Sequence, residues 1–171
     1  MIKIKKRGEA YNYMFGRYVK YKVFDVNDGD KHIGELGLFV ANVKSFTENT
    51  DGDGEELLDE CDPDVYNAIR LDLAMQYDNV IVINNFQIFE KYRHNEYGRR
   101  ALRAIEDYIF RYYTTNYKTC CMCAQIVPKH YKNVEKDVAV DRLTNFYMEN
   151  DYVLVGYTYG GSPLVFKCIW S

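Results

Sequence analysis

The sequence lacks the apolar segments that mark membrane proteins and secreted precursors. No apolar run approaches the length needed to cross a bilayer, and the amino-terminus has no signal-peptide core. We therefore expect a cytoplasmic protein that does not associate with membranes. The net charge of −3 also lacks the positive excess of a nucleic-acid-binding protein. The basic residues at 3–7 are too few to change this, and we expect them to form a solvated end.

The five cysteines lack the spacing of a zinc site or of a disulfide framework. Cys120, Cys121 and Cys123 are neighbours, but no second Cys-x-x-Cys pair matches them and the three histidines are scattered. They fall in residues 118–127, a run typical of a buried strand, where cysteine serves as a small apolar side chain. We therefore expect no metal, and thiols that stay reduced.

The sequence does have enough apolar and aromatic residues for a single domain over residues 1–171. It is 47% apolar, with 17 tyrosines and nine phenylalanines. Periodicity and turn residues predict strands at 18–26, 32–43, 79–89, 118–127, 152–159 and 164–170. They predict helices within 57–75, at 98–113 and at 137–150, and a polar loop at 45–56. This order predicts an α/β (α+β) fold, in which helices cover both faces of a mixed sheet.

Residues 88–98 join a predicted strand to the amino-terminus of a predicted helix. The free N–H groups of a first helical turn and the helix dipole favour a phosphate group at such a junction. Arg93, Arg99 and Arg100 add positive charge. Gly98 allows the backbone to come close to a ligand. The segment predicts an anion site, although an ordinary solvated turn has the same kind of sequence.

These residues resemble the pyrophosphate loop of the GNAT superfamily of acyl-coenzyme A N-acyltransferases. That loop usually reads Val-x-Pro-Glu-Tyr-Arg-Gly-x-Gly-x-Gly, and this chain has Ile88, Tyr92, Arg93 and Gly98 in register with it. Glu96 stands where the family has a glycine.

A second segment, residues 142–152, resembles the family's Leu-x-x-Phe-Tyr-x-x-x-Gly-Phe. The matching residues are Leu143, Phe146, Tyr147 and Tyr152. Asp151 stands at the glycine position of this segment. The resemblance extends over about residues 18–171.

The resemblance implies a mostly antiparallel central sheet flanked by helices, and transfer of an acetyl group from acetyl-coenzyme A to a primary amine. The acceptor would be a small cationic amine or a protein amine, no metal would be needed, and a homodimer is compatible with the family. Tyr147 would be the general acid that protonates the departing thiolate. The residues expected to bind the coenzyme are Gln87, Ile88, Arg93, His94, Asn95, Glu96, Tyr97, Gly98 and Arg99.

The residue that deprotonates the amine is less evident. An amine with a pKa near ~10 is mostly protonated at neutral pH, so a base or a water relay must take its proton. Residues 80–88 contain no carboxylate. Asn84 could hold a water molecule, and Glu35 or Glu90 could act as the base. Tyr147 could equally be a packing residue on an amphipathic helix.

Other functions stay open at this stage. Residues 48–64 hold nine acidic side chains and no lysine or arginine, a solvated surface or one that attracts a cationic amine. Residues 49–60 have the ligand spacing of a calcium-binding loop, but a predicted strand precedes them where a helix is required. The chain could also be a GNAT-like protein that binds coenzyme A or a protein partner without turnover, or a metal-dependent or purely structural domain.

Overall fold

The computed structural model describes residues 1–11, 17–52, 76–93, 95–115, 118–129, 134–158 and 160–169. Within them, strands and helices form a layered α+β arrangement. The elements in chain order are β1 (Ile2–Tyr11), β2 (Val19–Asp28), β3 (Lys31–Asn42), α1 (Val43–Asn49), β4 (Asn79–Ile88), α2 (Tyr97–Tyr113), β5 (Cys120–Gln125), α3 (Lys136–Met148), β6 (Val153–Tyr157) and β7 (Pro163–Ile169).

In the described residues the strands form one seven-stranded sheet in the order β1-β2-β3-β4-β5-β7-β6. Every neighbouring pair is antiparallel except β4 and β5, which are parallel. The predicted mixed, mostly antiparallel sheet is therefore confirmed. The parallel pair requires a crossover between its strands, and α2 supplies it.

Helices cover both faces of the sheet, as predicted. On one face, α2 buries Leu102, Ile105 and Ile109 in the larger apolar core, because these residues recur at helical spacing along one side of the helix. The last turns of α3 pack on the same core. On the other face, α1 contributes Val43 and Phe46 to a second apolar cluster.

Most predicted elements lie within a few residues of their observed positions. The turn between β2 and β3 centres on Gly29, whose φ of 58° is a left-handed value that favours glycine. The helices predicted within residues 57–75 lie outside the described residues.

The amino-terminal residues are not the solvated end that we expected, because residues 2–11 form the edge strand β1. Ile2 and Ile4 pack against the larger core, whereas the lysines between and after them stay at the surface. This alternation is the period of a strand with one buried face. Lysine on an edge strand also discourages pairing with another chain.

The predicted polar loop at 45–56 is wrong in its first part, because α1 occupies residues 43–49. The side chain of Asn42 accepts a hydrogen bond from the Ser45 N–H at 3.1 Å and so caps the helix. Burial of Val43 and Phe46 then outweighs the polarity of the residues that follow.

The cysteine cluster lies in a buried strand, as predicted. Cys120, Cys121 and Cys123 are all free and buried in β5. Burial raises the pKa of the Cys120 thiol to about 12, so the thiol stays neutral and unreactive at physiological pH. No helix among the described residues is long and apolar enough to span a membrane.

One buried ion pair joins the carboxyl-terminal part of the fold. Lys167 on β7 donates to the Glu106 carboxylate on α2 at 3.0 Å and to the Asn150 carbonyl after α3 at 2.9 Å. The side chains of Lys167 and Glu106 are only 18% and 16% exposed. The ammonium group therefore fastens both large helices to the sheet.

Removing one partner of this pair should destabilise the protein strongly. Glu106→Ala leaves the largely buried Lys167 ammonium with only the exposed Asp151 carboxylate, 3.8 Å away, as a counter-charge. We therefore expect the free energy of unfolding in urea to fall by about 3 kcal/mol. Combining Glu106→Leu with Lys167→Met should recover most of the loss. Glu149→Ala, which breaks an exposed pair with Arg99, is the control and should cost less than about 1 kcal/mol. Equal losses in the two single variants would contradict this account.

Candidate functional site

The site begins where β4 and β5 separate. The two strands pair from Asn79 and Cys120 as far as Ile83 and Ala124. Beyond this point β4 stays beside β3 as far as Ile88, whereas β5 stays beside β7 and the Ile126 N–H donates to the Pro163 carbonyl at 2.8 Å. A gap therefore opens in the middle of the sheet.

A β-bulge at Asn84 coincides with the start of the gap. Ile83 is opposite Leu38 on β3, but the next paired residue, Asn85, is opposite Gly37. Asn84 is therefore the extra residue on β4. A bulge bends its strand and increases its twist, which helps to turn β4 away from β5.

The backbone of β4 beyond the bulge exposes hydrogen-bonding groups to the gap. The Phe89 N–H donates to the Ile33 carbonyl on β3 at 2.9 Å. Because N–H groups of successive residues face opposite sides of a strand, the Gln87 N–H also faces β3, and the N–H groups of Phe86 and Ile88 face the gap. The arrangement leaves backbone donors available to a ligand lying between the strands.

A cavity of 70 Å³ occupies the start of the gap. It is lined by Asn84 and its neighbours on β4, by Gln125 and the residues that follow β5, and by Leu143 and Tyr147 of α3. Asn84 and Tyr147, 63 residues apart in sequence, thus line the same cavity. Lys129 also lines it, and nothing in the sequence identified this residue beyond its place just after Pro128.

Tyr147 is held tightly at the wall of this cavity. Its side chain is 6% exposed, and its ring packs edge-on against Phe146 at 5.3 Å and Tyr152 at 5.1 Å between centroids. Burial raises the pKa of the Tyr147 phenol well above its ordinary value. The group is therefore protonated at neutral pH, and its hydroxyl can donate a hydrogen bond.

The segment between β4 and α2 forms a compact turn and then a helix start. Residues 90–92 make a single 3-10 turn, and the Arg93 side chain folds back so that Nε donates to the Ile88 carbonyl at 3.0 Å. The first helical bond of α2 runs from the Arg100 N–H to the Glu96 carbonyl. The N–H groups of Tyr97, Gly98 and Arg99 precede it and have no partner of the i→i−4 kind.

The remaining predicted residues of this loop differ in their surroundings. Asn95 and Glu96 are exposed, and His94 lies outside the described residues. Arg99 forms a pair with Glu149 at 3.6 Å, at the end of α3. Gly98 packs closely on α3, since a Cβ atom there would lie 3.3 Å from the Phe146 ring. The glycine thus allows the two helices to approach each other, in addition to any role toward a ligand.

Glu35 does not line the cavity. It lies opposite Gln87 on the neighbouring strand, and its carboxylate accepts from the Arg7 guanidinium at 2.7 Å. Asp25 and His32 lie beside it, so that ligand atoms of the three residues are within 4.8 Å of one another. Arg7 also lies 3.2 Å from Asp25 and supplies the positive charge between the two carboxylates. The sequence did not reveal this cluster, because β1 was missed.

The acidic surface and the calcium-type loop fall mostly outside the described residues. Of the nine acidic side chains, Glu48 and Asp51 belong to the part of the chain that the structure describes. Glu90, the other candidate base, is exposed on the 3-10 turn.

The structure resembles several solved structures at very low sequence identity. Arabidopsis thaliana NAA60 with a bisubstrate analogue gives a TM-score of 0.51 at 11% identity, covering 86% of this chain and 75% of that one. NAA60 with acetyl-coenzyme A gives 0.50 at 9% identity, covering 99% of each chain. A mutant of the toxin AtaT bound to the carboxyl-terminus of the antitoxin AtaR gives 0.50 at 7% identity, covering 98% and 93%.

The chain has the GNAT fold. No protein-family model matches its sequence, and no curated protein is significantly similar to it. The likeness therefore lies in the arrangement of strands and helices.

The two positions at which this chain departs from the GNAT sequence pattern share a left-handed backbone conformation. Glu96 and Asp151 are the two non-glycine residues of the described chain with positive φ, at 56° and 69°. Asp151 follows α3 in a Schellman motif, where its N–H donates to the Met148 carbonyl and the Tyr152 N–H donates to the Tyr147 carbonyl. Glycine suits both positions because a left-handed conformation strains a side chain.

Glycine at position 151 should therefore stabilise this GNAT-fold protein. The Asp151 side chain is 91% exposed and lies 3.8 Å from the Lys167 ammonium, so Asp151→Gly removes the strain together with a long, exposed ion pair that contributes little. After the entropy cost of glycine, we expect a gain of about 0.5 to 1 kcal/mol in the free energy of unfolding. Asp141→Gly makes the same chemical change at an exposed site inside α3 and should cost about 0.3 to 0.5 kcal/mol. Losses of stability in both variants, measured by urea unfolding, would rule out strain at Asp151.

Proposed function

We propose that this protein transfers an acetyl group from acetyl-coenzyme A to a primary amine, either a small cationic amine or an amine of a protein. The observation that carries the proposal is the gap between β4 and β5, with Tyr147 at one wall and the amino-terminus of α2 at its outer end. The acetyl-coenzyme A and the bisubstrate analogue bound to NAA60 in the same fold support it.

The binding residues fit the parts of the coenzyme in order. The N–H groups of Tyr97, Gly98 and Arg99 would bind the pyrophosphate, because they lie in the first turn of α2, at the positive pole of the helix. The cavity of 70 Å³ is far below the volume of an ordinary small-molecule pocket, so it would hold only the acetyl-thioester end. The rest of the molecule would lie along the gap.

The gap also offers a donor for the carbonyl of the thioester. The N–H groups of Phe86 and Ile88 face it, and either would stabilise the negative charge that develops on the carbonyl oxygen. The amine nitrogen then forms a bond to the carbonyl carbon, and the carbon–sulfur bond breaks. The departing thiolate takes the phenolic proton of Tyr147 as it leaves.

Deprotonation of the amine is assigned to a water molecule rather than to a carboxylate. Among the described residues, no aspartate or glutamate lines the cavity. The Asn84 side chain can orient such a water, since its amide both donates and accepts hydrogen bonds. The Glu35 carboxylate, engaged by Arg7, is a weaker candidate.

One observation favours a second candidate function, a GNAT-fold protein that binds coenzyme A without turnover. No carboxylate or histidine among the described residues lines the cavity. The two functions differ in a simple assay. A rise in thermal stability with acetyl-coenzyme A indicates binding in both cases. Release of free thiol with a panel of amines indicates the enzyme.

The coenzyme site is tested by two substitutions in the loop. Gly98→Val should weaken binding of acetyl-coenzyme A strongly in calorimetry, because the side chain crowds the backbone approach. Arg93→Ala should cost about 1–3 kcal/mol of binding free energy, the range for a charged hydrogen bond.

Two controls separate binding from folding. Gly8→Val, where a Cβ atom meets nothing within 4 Å, and Arg103→Ala, at an exposed position of α2, should leave the affinity unchanged. Thermal unfolding of Gly98→Val shows whether contact with Phe146 disturbs the helices. If Gly98→Val and Arg93→Ala both bind acetyl-coenzyme A with wild-type affinity, the coenzyme does not bind at this loop.

The general acid is tested by Tyr147→Phe. Loss of the phenolic proton should lower turnover by about 10²-fold or more, the usual contribution of a positioned proton donor. Coenzyme affinity should change little, because the ring and its contacts remain. Tyr157→Phe, at an exposed position of β6, is the matched control. Unchanged kcat in Tyr147→Phe would leave this tyrosine with a packing role only.

A further inference from the structure

A second cavity lies at the opposite end of α2 from the coenzyme site. Its volume is 330 Å³, compared with 70 Å³ for the first cavity. The 17 residues of α2 span about 25 Å, so the two sites lie at opposite ends of the same helix. The proposed transfer of an acetyl group makes no use of this cavity.

The cavity is lined by positive charge. Arg17, Lys20, Lys22 and Lys118 line it, and no aspartate or glutamate among the described residues does so. This concentration stands out in a protein with a net charge of −3.

Nearby negative charge offsets only part of this. Lys22 lies 3.5 Å from Glu9 on β1, and the carboxyl-terminus of α2 carries about half a negative charge. Together these amount to about one and a half charges against the three of Arg17, Lys22 and Lys118. The cavity therefore has a positive potential that an anion can satisfy.

Tyrosine rings form the other wall. Tyr108 and Tyr112 of α2 lie 4.6 Å apart between ring centroids, and Tyr112 is 59% exposed. On the opposite side, the Arg17 guanidinium stacks on the Tyr18 ring and donates to its hydroxyl at 2.6 Å. Cations near the carboxyl-terminus of α2 could be explained by the negative pole of the helix alone. The exposed Tyr112 ring beside them has no such explanation. The combination suits a ligand with both an anionic and a flat apolar part.

We propose that this cavity binds a nucleotide, with its phosphate on the Arg17, Lys22 and Lys118 side chains and its base on Tyr112. Lysine and arginine side chains form charge-assisted hydrogen bonds to phosphate oxygens. Bases stack on tyrosine with little dependence on their identity. The volume lies in the range of small-molecule sites. The site is separate from that of the coenzyme, and the proposal does not depend on acetyl transfer.

Calorimetry with uridine 5′-monophosphate on the full chain tests this directly. We expect a dissociation constant below about 1 mM, and binding at least tenfold weaker for uridine or inorganic phosphate alone. Lys118→Glu should weaken binding about tenfold or more, through loss of a charged hydrogen bond. Tyr112→Ala should weaken it about fivefold or more, through loss of stacking. Both residues are exposed, so neither change should disturb the core.

Matched controls locate the binding. Lys136→Glu and Tyr157→Ala alter an exposed lysine and an exposed tyrosine outside the cavity and should leave the affinity unchanged. Gly98→Val should also leave it unchanged, whether or not the chain is an acetyltransferase.

Three results would overturn the proposal. The first is equal affinity in Lys118→Glu and Lys136→Glu. The second is weaker nucleotide binding in Gly98→Val with unchanged thermal unfolding, which would assign binding to the first site. The third is binding of a peptide of aspartate and tyrosine without binding of the nucleotide, which would make the cavity a protein-docking surface.

Discussion

The single parallel strand pair of the sheet is the constraint on which the site depends. β4 and β5 share five rungs and then separate, because β4 continues with β3 while β5 continues with β7. The bulge at Asn84 lies at the point of separation. Every feature of the candidate cleft follows from this geometry: unpaired backbone donors on one edge, a small cavity at the vertex, and a helix amino-terminus at the outer end.

The wall of the cleft that carries Tyr147 depends on polar contacts as well as on apolar packing. The Schellman motif after α3 brings Tyr152 back against the Tyr147 ring. The Lys167 ammonium donates to the carbonyl of Asn150, which lies in the same turn. Glu106 supplies the counter-charge from α2. A buried ion pair is a weak source of stability but fixes one arrangement of the groups around it. Here that arrangement determines where the Tyr147 side chain lies relative to the gap between β4 and β5.

The likeness to GNAT structures lies in the arrangement of strands and helices. The two departures from the family's sequence pattern fall at positions where the backbone of this chain is left-handed. Glycine is usual at positions 96 and 151 because the chain there is left-handed, and this chain tolerates glutamate and aspartate at a cost in strain. These two residues therefore say more about local stability than about activity. Gly98 lies where a Cβ atom would come within 3.3 Å of the Phe146 ring, so this glycine has a packing role as well.

The sequence by itself determined the elements whose signal is local. The apolar period of α2, the run of β4, the Gly29 turn and the strand–turn–helix at residues 88–98 all follow from residues close together along the chain. Tertiary structure decided the rest. β1 is a strand because β2 offers it a partner, α1 forms because Phe46 meets an apolar face, and Glu35 is engaged by Arg7, 28 residues away. The Asn84 bulge and the cavity shared with Tyr147 likewise arise only when distant segments pair, since register and contact between segments are properties of the assembled sheet.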